Sequence, residues 1–228
     1  MFGSTSRRKG RRSAADREKS SGRGSSEAAA AAAVKALFDK YAEDDDPMVI
    51  GVEGIDTLCT DVGIDAGEDV RGLVLLWKLG LAKGRPGQIT LEEWQKGCAA
   101  NNIDSIDKFK AIVPSLDTGF LEHNDFRDLY KFVFQFNREG THRTIDREFI
   151  ISLFEIVFKG TGRVPPARLE SFIVFLRQYA EGEKVTLDQW MNFLEFGTKH
   201  PTDINDYDEN GAWPIMIDDY VEYLKEKK

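Results

Sequence analysis

Asp206, Asp208, Asn210 and Gly211 occupy the first, third, fifth and sixth places of a twelve-residue calcium-binding loop. The chemistry offered is oxygen coordination of a hard cation, and it requires a bidentate Glu at the twelfth place. That place holds Ile217, and the ninth holds Pro214. Loops begun at Asp39 or Asp44 end on Ile50 or Ile55. No loop carries a full ligand set, so neither a metal site nor a cofactor is expected, and a calcium sensor stands as the alternative reading. Covalent chemistry is not indicated either. Cys59 and Cys98 sit in apolar, helix-like contexts without a basic activator, as reduced and buried thiols do. His123, His142 and His200 are scattered and form no ligand spacing. No nucleophile–base set is visible, so the expected catalytic residues are none.

The acids of this stretch have a second use. From Pro201 to Tyr223 there are seven acids and no Lys or Arg. A helix over 212–225 places Trp213, Met216, Ile217, Tyr220, Tyr223 and Leu224 on one face roughly 120° wide. Asp218, Asp219 and Glu222 fall opposite, beside Ile215. One reading is a solvated acidic face. The other is a docking surface for a basic partner, with Ala212 and Ile215 as its apolar element.

The elements that must position these residues repeat. GQITLEEWQKG (87–97) and EKVTLDQWMNF (183–193) both run from Thr to Glu or Gln three residues later, which is a capping box. Trp94 and Trp190 then occupy the same first-turn position. VIGVEGIDTLC (49–59) and RTIDREFIISLF (143–154) are looser copies. Further helices are expected over 68–79, 105–112, 120–136, 147–158 and 166–179. The fold class is all-α, built of paired EF-hand-like helix–loop–helix units without intact calcium loops, joined at most by two-residue bridges.

Ahead of them lies a basic tail. Residues 1–27 are rich in Ser, Gly and Arg and carry eight Lys/Arg against three acids, a net +5. With −8 overall, residues 28–228 carry −13. The tail is expected to be disordered, and 28–228 to form one helical domain. RRKGRR (7–12) fits a nuclear import signal or a patch for an anionic partner. The alanine run that follows favours a helix capped by Ser25 or Ser26, with Val34, Leu37, Phe38 and Tyr41 on one face. The acidic body repels nucleic acid and attracts basic protein surfaces. No apolar run reaches membrane-spanning length, and MFGSTSRRKG lacks a secretory core and a myristoylation signal. Neither nucleic acid nor membrane is expected as a partner.

NDYDENGAWPIMIDDYVEYLK (205–225) resembles the C-terminal signature of the defective-in-cullin-neddylation family and its potentiating-neddylation (PONY) domain. The resemblance covers roughly 33–225. It includes IGVEGIDTLCTDVGID, LLWKL, NNIDSIDKFKAIVPSL, FRDLYKFVFQFNREGTHRTID and VTLDQWMNF, with Asp188-x-Trp190 set 24 residues before Ala212. It implies a non-catalytic co-ligase for cullin neddylation, acting as a scaffold for transfer of the ubiquitin-like modifier to a cullin lysine. By resemblance, Asp188, Ala212 and Asp218 grip the C-terminal winged-helix domain of the cullin, with Asp219 and Glu222 as neighbours. The resemblance also implies a hydrophobic pocket for the acetylated N-terminal Met of the neddylation conjugating enzyme, docked as a helix in a groove. The matching positions are Ile55, Leu73, Leu75, Leu76, Leu79, Ile89, Phe136 and Ile156, each of which reads as plain core on pattern alone. The loop 79–88 is longer than is usual in the family. A monomer in cytoplasm and nucleus is the expectation.

Overall fold

Six consecutive alanines, 28–33, nucleate a helix that runs Ala14–Asp39 (α1). The structure is a computed structural model describing residues 14–179 and 184–227, with side chains of α1 from Glu27 onward. The helix passes through Ser25 and Ser26 rather than starting there, and so takes in 14–27 of the segment assigned to a disordered tail. Adding residues to a nucleated helix costs little, so a Ser that could cap it need not do so. RRKGRR lies outside the described residues. Val34, Phe38 and Tyr41 bury the far end of α1, with Leu37 half-buried beside them.

After α1 come β1 (Val49–Ile50), α2 (Val52–Val62), α3 (Arg71–Leu79), β2 (Ile89–Thr90) and α4 (Leu91–Ala100). A connecting helix, α5 (Ile106–Ile112), and two 3-10 turns lead to the second half. That half holds α6 (His123–Phe136), β3 (Thr144–Asp146), α7 (Arg147–Phe158), α8 (Pro166–Gln178), β4 (Lys184–Thr186) and α9 (Leu187–Lys199). The last helix is α10 (Ile215–Glu226). The fold is all-α. Antiparallel ladders β1–β2 and β3–β4 each join the loops of two helix–loop–helix units, pairing Ile50 with Ile89 and Ile145 with Val185. No described helix is long and apolar enough to cross a membrane.

The sequence repeat is a structural repeat. Both capping boxes close: the Thr90 hydroxyl accepts from Glu93 N–H, and that of Thr186 from Gln189 N–H. Each box aims the following Trp inward. Trp94 and Trp190 are wholly buried. Their indole N–H groups donate to the carbonyl oxygens of Val34 (3.0 Å) and Tyr130 (2.8 Å), tying the last helix of each half to its first. A satisfied indole is what lets so large a polar-tipped ring be buried. α3 packs on α6, and one continuous core runs through both halves.

Several boundaries move from the expected ones. α3 starts at Arg71 because the Asp69 carboxylate accepts from Arg71 N–H (2.9 Å) and stops the chain from extending the helix backward. α6 starts at His123, since Asp117 accepts from Gly119 N–H (2.7 Å) and holds Thr118–Phe120 in a 3-10 turn. α10 starts after Pro214, leaving Trp213 to pack from the loop. Val221, not placed in the core by the periodicity, is buried.

Candidate functional site

The capping box sets Asp188 in the first turn of α9, exposed, where the helix dipole favours an anion. Its Oδ1 accepts from Asn192 Nδ2 (3.2 Å), one turn on. The chain then leaves α9 at His200 and crosses 201–214 to α10. Arg168 of α8, a buried cation, holds that crossing from beneath. Its Nε donates to the His200 carbonyl (3.0 Å) and its Nη2 to that of Asp203 (3.4 Å). The guanidinium also lies 5.5 Å from the Phe196 ring and 5.9 Å from Tyr220, where aromatic faces favour a cation. His200 is buried with Nε2 unpartnered, and burial lowers its pKa below the ordinary value.

Above this floor, rings order the loop. Tyr207 stacks on Trp213 (5.9 Å) and meets Phe196 (6.0 Å) and His200 (5.9 Å) edge-on. Its hydroxyl donates to Asp218 Oδ1. Burial, reinforced by that carboxylate, pushes the Tyr207 phenol up from its ordinary value. Asp219 Oδ2 accepts from the Tyr179 hydroxyl (2.9 Å). Both acids are half-buried, Ala212 is exposed, and Ile215 stands 68% exposed beside them. Glu222 differs: it shares Lys225 (2.9 Å) with Glu209 (2.6 Å), and those two carboxylates raise the Lys225 pKa, Glu209 the more.

The structure thus gathers Asp218, Asp219 and Glu222 with Ile215 on α10, which packs against α9. Asp188 belongs to the other helix, and among the described residues no hydrogen bond joins it to α10. Between Asp188 and Phe196, the ring against which Tyr207 rests, α9 rises about 12 Å. Reasoning from spacing missed Tyr207 and Tyr179. Tyr207 offered one signal, its place inside the acidic DYDENG run. Tyr179, at the end of α8, offered none.

In the calcium-like loop, Asp208 Oδ1 accepts from Asn210 N–H (3.0 Å), making a tight turn. The twelfth place, Ile217, is wholly buried. No group of three or more His, Cys, Asp or Glu among the described residues is placed to hold a metal ion. Cys59 and Cys98 are buried free thiols, pushed up by burial to about 11 and about 12.

The eight apolar positions of the second site are dispersed. Ile55, Leu75, Leu76, Leu79 and Ile89 are buried in the core of the N-terminal half. Leu73 is half-buried on α3, and Phe136 is half-buried at the end of α6 against Phe132 (5.8 Å). Ile156, half-buried on α7, lines a cleft of about 440 Å³ with Asp69, Arg71, Asp117 and Lys159.

The family model described as Cullin binding matches residues 108–223, which hold the C-terminal half and the acidic surface. DCN1-like protein 4 of Homo sapiens is 34% identical over 194 residues, 84% of this chain and 62% of the relative. DCN1-like protein 5 of Rattus norvegicus is 34% identical over 193 residues, 83% of this chain and 76% of the relative. DCN1-like protein 4 of Drosophila melanogaster is 29% identical over 190 residues, 83% and 73% of the two chains. The chain therefore spans less than two thirds of human DCN1-like protein 4 but most of DCN1-like protein 5. On the family match, and on identity that extends through both halves, the chain belongs to the DCN1-like, defective-in-cullin-neddylation family.

Proposed function

We propose that this chain is a non-catalytic co-ligase for cullin neddylation. Asp188, Ala212, Asp218 and Asp219, with Glu222 at the margin, form the surface for the winged-helix domain at the cullin C-terminus. The apolar positions of the second site receive the acetylated N-terminus of the conjugating enzyme after the core side chains around Leu75 and Ile89 part. The contribution to rate is orientation: holding acceptor lysine and thioester in reactive geometry, an effect that can reach several kcal/mol. The chain acts as a monomer in cytoplasm and nucleus. The observation that carries the reading is the pair of α10 carboxylates, Asp218 and Asp219. Each is anchored by a neutral hydroxyl and paired with no cation among the described residues.

The test is capture by a cullin C-terminal domain, together with a neddylation assay, on wild type, Ala212→Arg and Ala212→Arg/Asp218→Lys. Ala212 is exposed, so its replacement leaves the fold intact, and circular dichroism checks this. The single variant is expected to bind at least tenfold more weakly, since a like charge set against a basic partner costs more than 1.4 kcal/mol. The double variant is expected to stimulate no neddylation. Normal stimulation by a folded double variant would remove this surface from the mechanism.

A further inference from the structure

Asp218 and Asp219 are adjacent acids that use a tyrosine rather than a lysine or arginine to fix their side chains. The difference is electrostatic. A phenol donates a hydrogen bond but carries no charge, so the carboxylate keeps its full −1. Glu209 and Glu222, a short way off, are each partly neutralised by Lys225. The second oxygen of Asp218 and of Asp219 has no hydrogen-bond partner among the described residues.

Both tyrosines are themselves held. Tyr207 is gripped by Trp213, Phe196 and His200. Tyr179 packs on Phe175 (5.0 Å), and its backbone carbonyl accepts from Arg147. An exposed Asp otherwise samples several rotamers, and a partner that binds it must order it. Here the ordering is done within the free chain.

We propose that Tyr207 and Tyr179 are positioning residues of the acidic surface. Each presets one α10 carboxylate without discharging it, so that two oriented anions meet the guanidinium or ammonium groups of the partner. This rests on the cullin-binding reading above and adds to it the residues that tune its affinity.

The experiment measures binding of a cullin C-terminal domain to the full chain carrying Tyr207→Phe, Tyr179→Phe or both. Each substitution keeps the ring and removes only the donor. Each is expected to weaken binding roughly two- to tenfold, the range set by ordering one side chain on association. In an Asp218→Asn background Tyr207→Phe should add little, and likewise Tyr179→Phe with Asp219→Asn, because contacting residues are coupled. Binding of an acetylated N-terminal peptide of the conjugating enzyme should not change, which separates positioning from general loosening. Phe variants that bind cullin as wild type does, or that lose the same factor with and without the aspartates, overturn the proposal. Loss of cullin and peptide binding together overturns it as well. If the wild-type chain binds no cullin, the functional reading fails first. The Tyr207–Asp218 link can then still be read in the isolated chain as a coupling in urea unfolding.

Discussion

In the N-terminal half α4 lies so close to α3 that a Cβ on Gly97 would stand 2.5 Å from the Leu79 carbonyl oxygen. Laying Trp94 on Trp190 puts Phe193 at the same place in the C-terminal half, stacked 3.9 Å from Phe172. The third helical residues of α2 and α7 differ likewise. A Cβ on Gly54 would meet the Tyr41 carbonyl at 2.1 Å, whereas Phe149 is 46% exposed. At the first position one half brings backbones together and the other fills the space with stacked rings; at the second, one half has a close backbone approach where the other turns a ring toward solvent. Trp190 is sandwiched by Tyr130 (4.2 Å) and Phe154 (4.6 Å). Trp94 has one stacked neighbour, Phe109 (5.2 Å), lent by α5 from outside the repeat. What the halves share is the indole-to-carbonyl bond and the cap. Direction-dependent contacts are kept in common, while volume has been filled in two ways, as cores of matched total volume allow.

Five substitutions test that contrast. The largest effect is expected from Trp190→Ala, about 3–5 kcal/mol by urea unfolding, because two stacked faces and a buried donor go at once. Trp94→Ala should cost less within that range, and an equal cost would mean that stacking contributes nothing beyond area. Gly97→Val comes next, at about 1–3 kcal/mol, since a backbone carbonyl cannot step aside as a flexible side chain can. A neutral result there would show that α3 and α4 separate freely. The smallest contrast is between the caps. Glu93 Oε1 accepts from the N–H groups of Lys83 (3.0 Å) and Gly84 (2.9 Å), and Oε2 from Thr90 N–H (3.0 Å). Among the described residues, Gln189 accepts from Thr186 alone. Glu93→Ala should therefore cost about 1.5–3 kcal/mol and Gln189→Ala about 0.5–1 kcal/mol, the gap being hydrogen bonds to a charged acceptor. Matching values would detach loop 79–88 from α4.

Much of this architecture was legible because its signals are local. Thr90 and Thr186 cap where their spacing to Glu93 and Gln189 said they would, and the Trp pair marked the repeat. The extent of α1 was not legible, because composition between 14 and 27 argues for a tail while the alanine run extends helix into it. The eight apolar pocket positions show a deeper limit. A hydrophobic period identifies a side chain that leaves water, and it cannot say whether that side chain faces its own core or a guest. The acidic surface was half legible. Asp218 and Asp219 followed from helix periodicity. Their anchors did not, since Tyr207 is eleven residues from Asp218 across Pro214, and Tyr179 is forty from Asp219.

The two indole bonds also bear on how a nascent chain acquires this shape. Every ring or carbonyl described against Trp190 belongs to Tyr130, Phe134 or Phe154, all synthesised before it. Trp94 must wait for Phe109. As the ribosome releases the chain from its N-terminus, Trp190 meets its described ring partners once α9 emerges, whereas Trp94 gains its stacked partner only when α5 follows α4; the second unit then still waits for Tyr220 of α10 to reach Phe172 and Phe196.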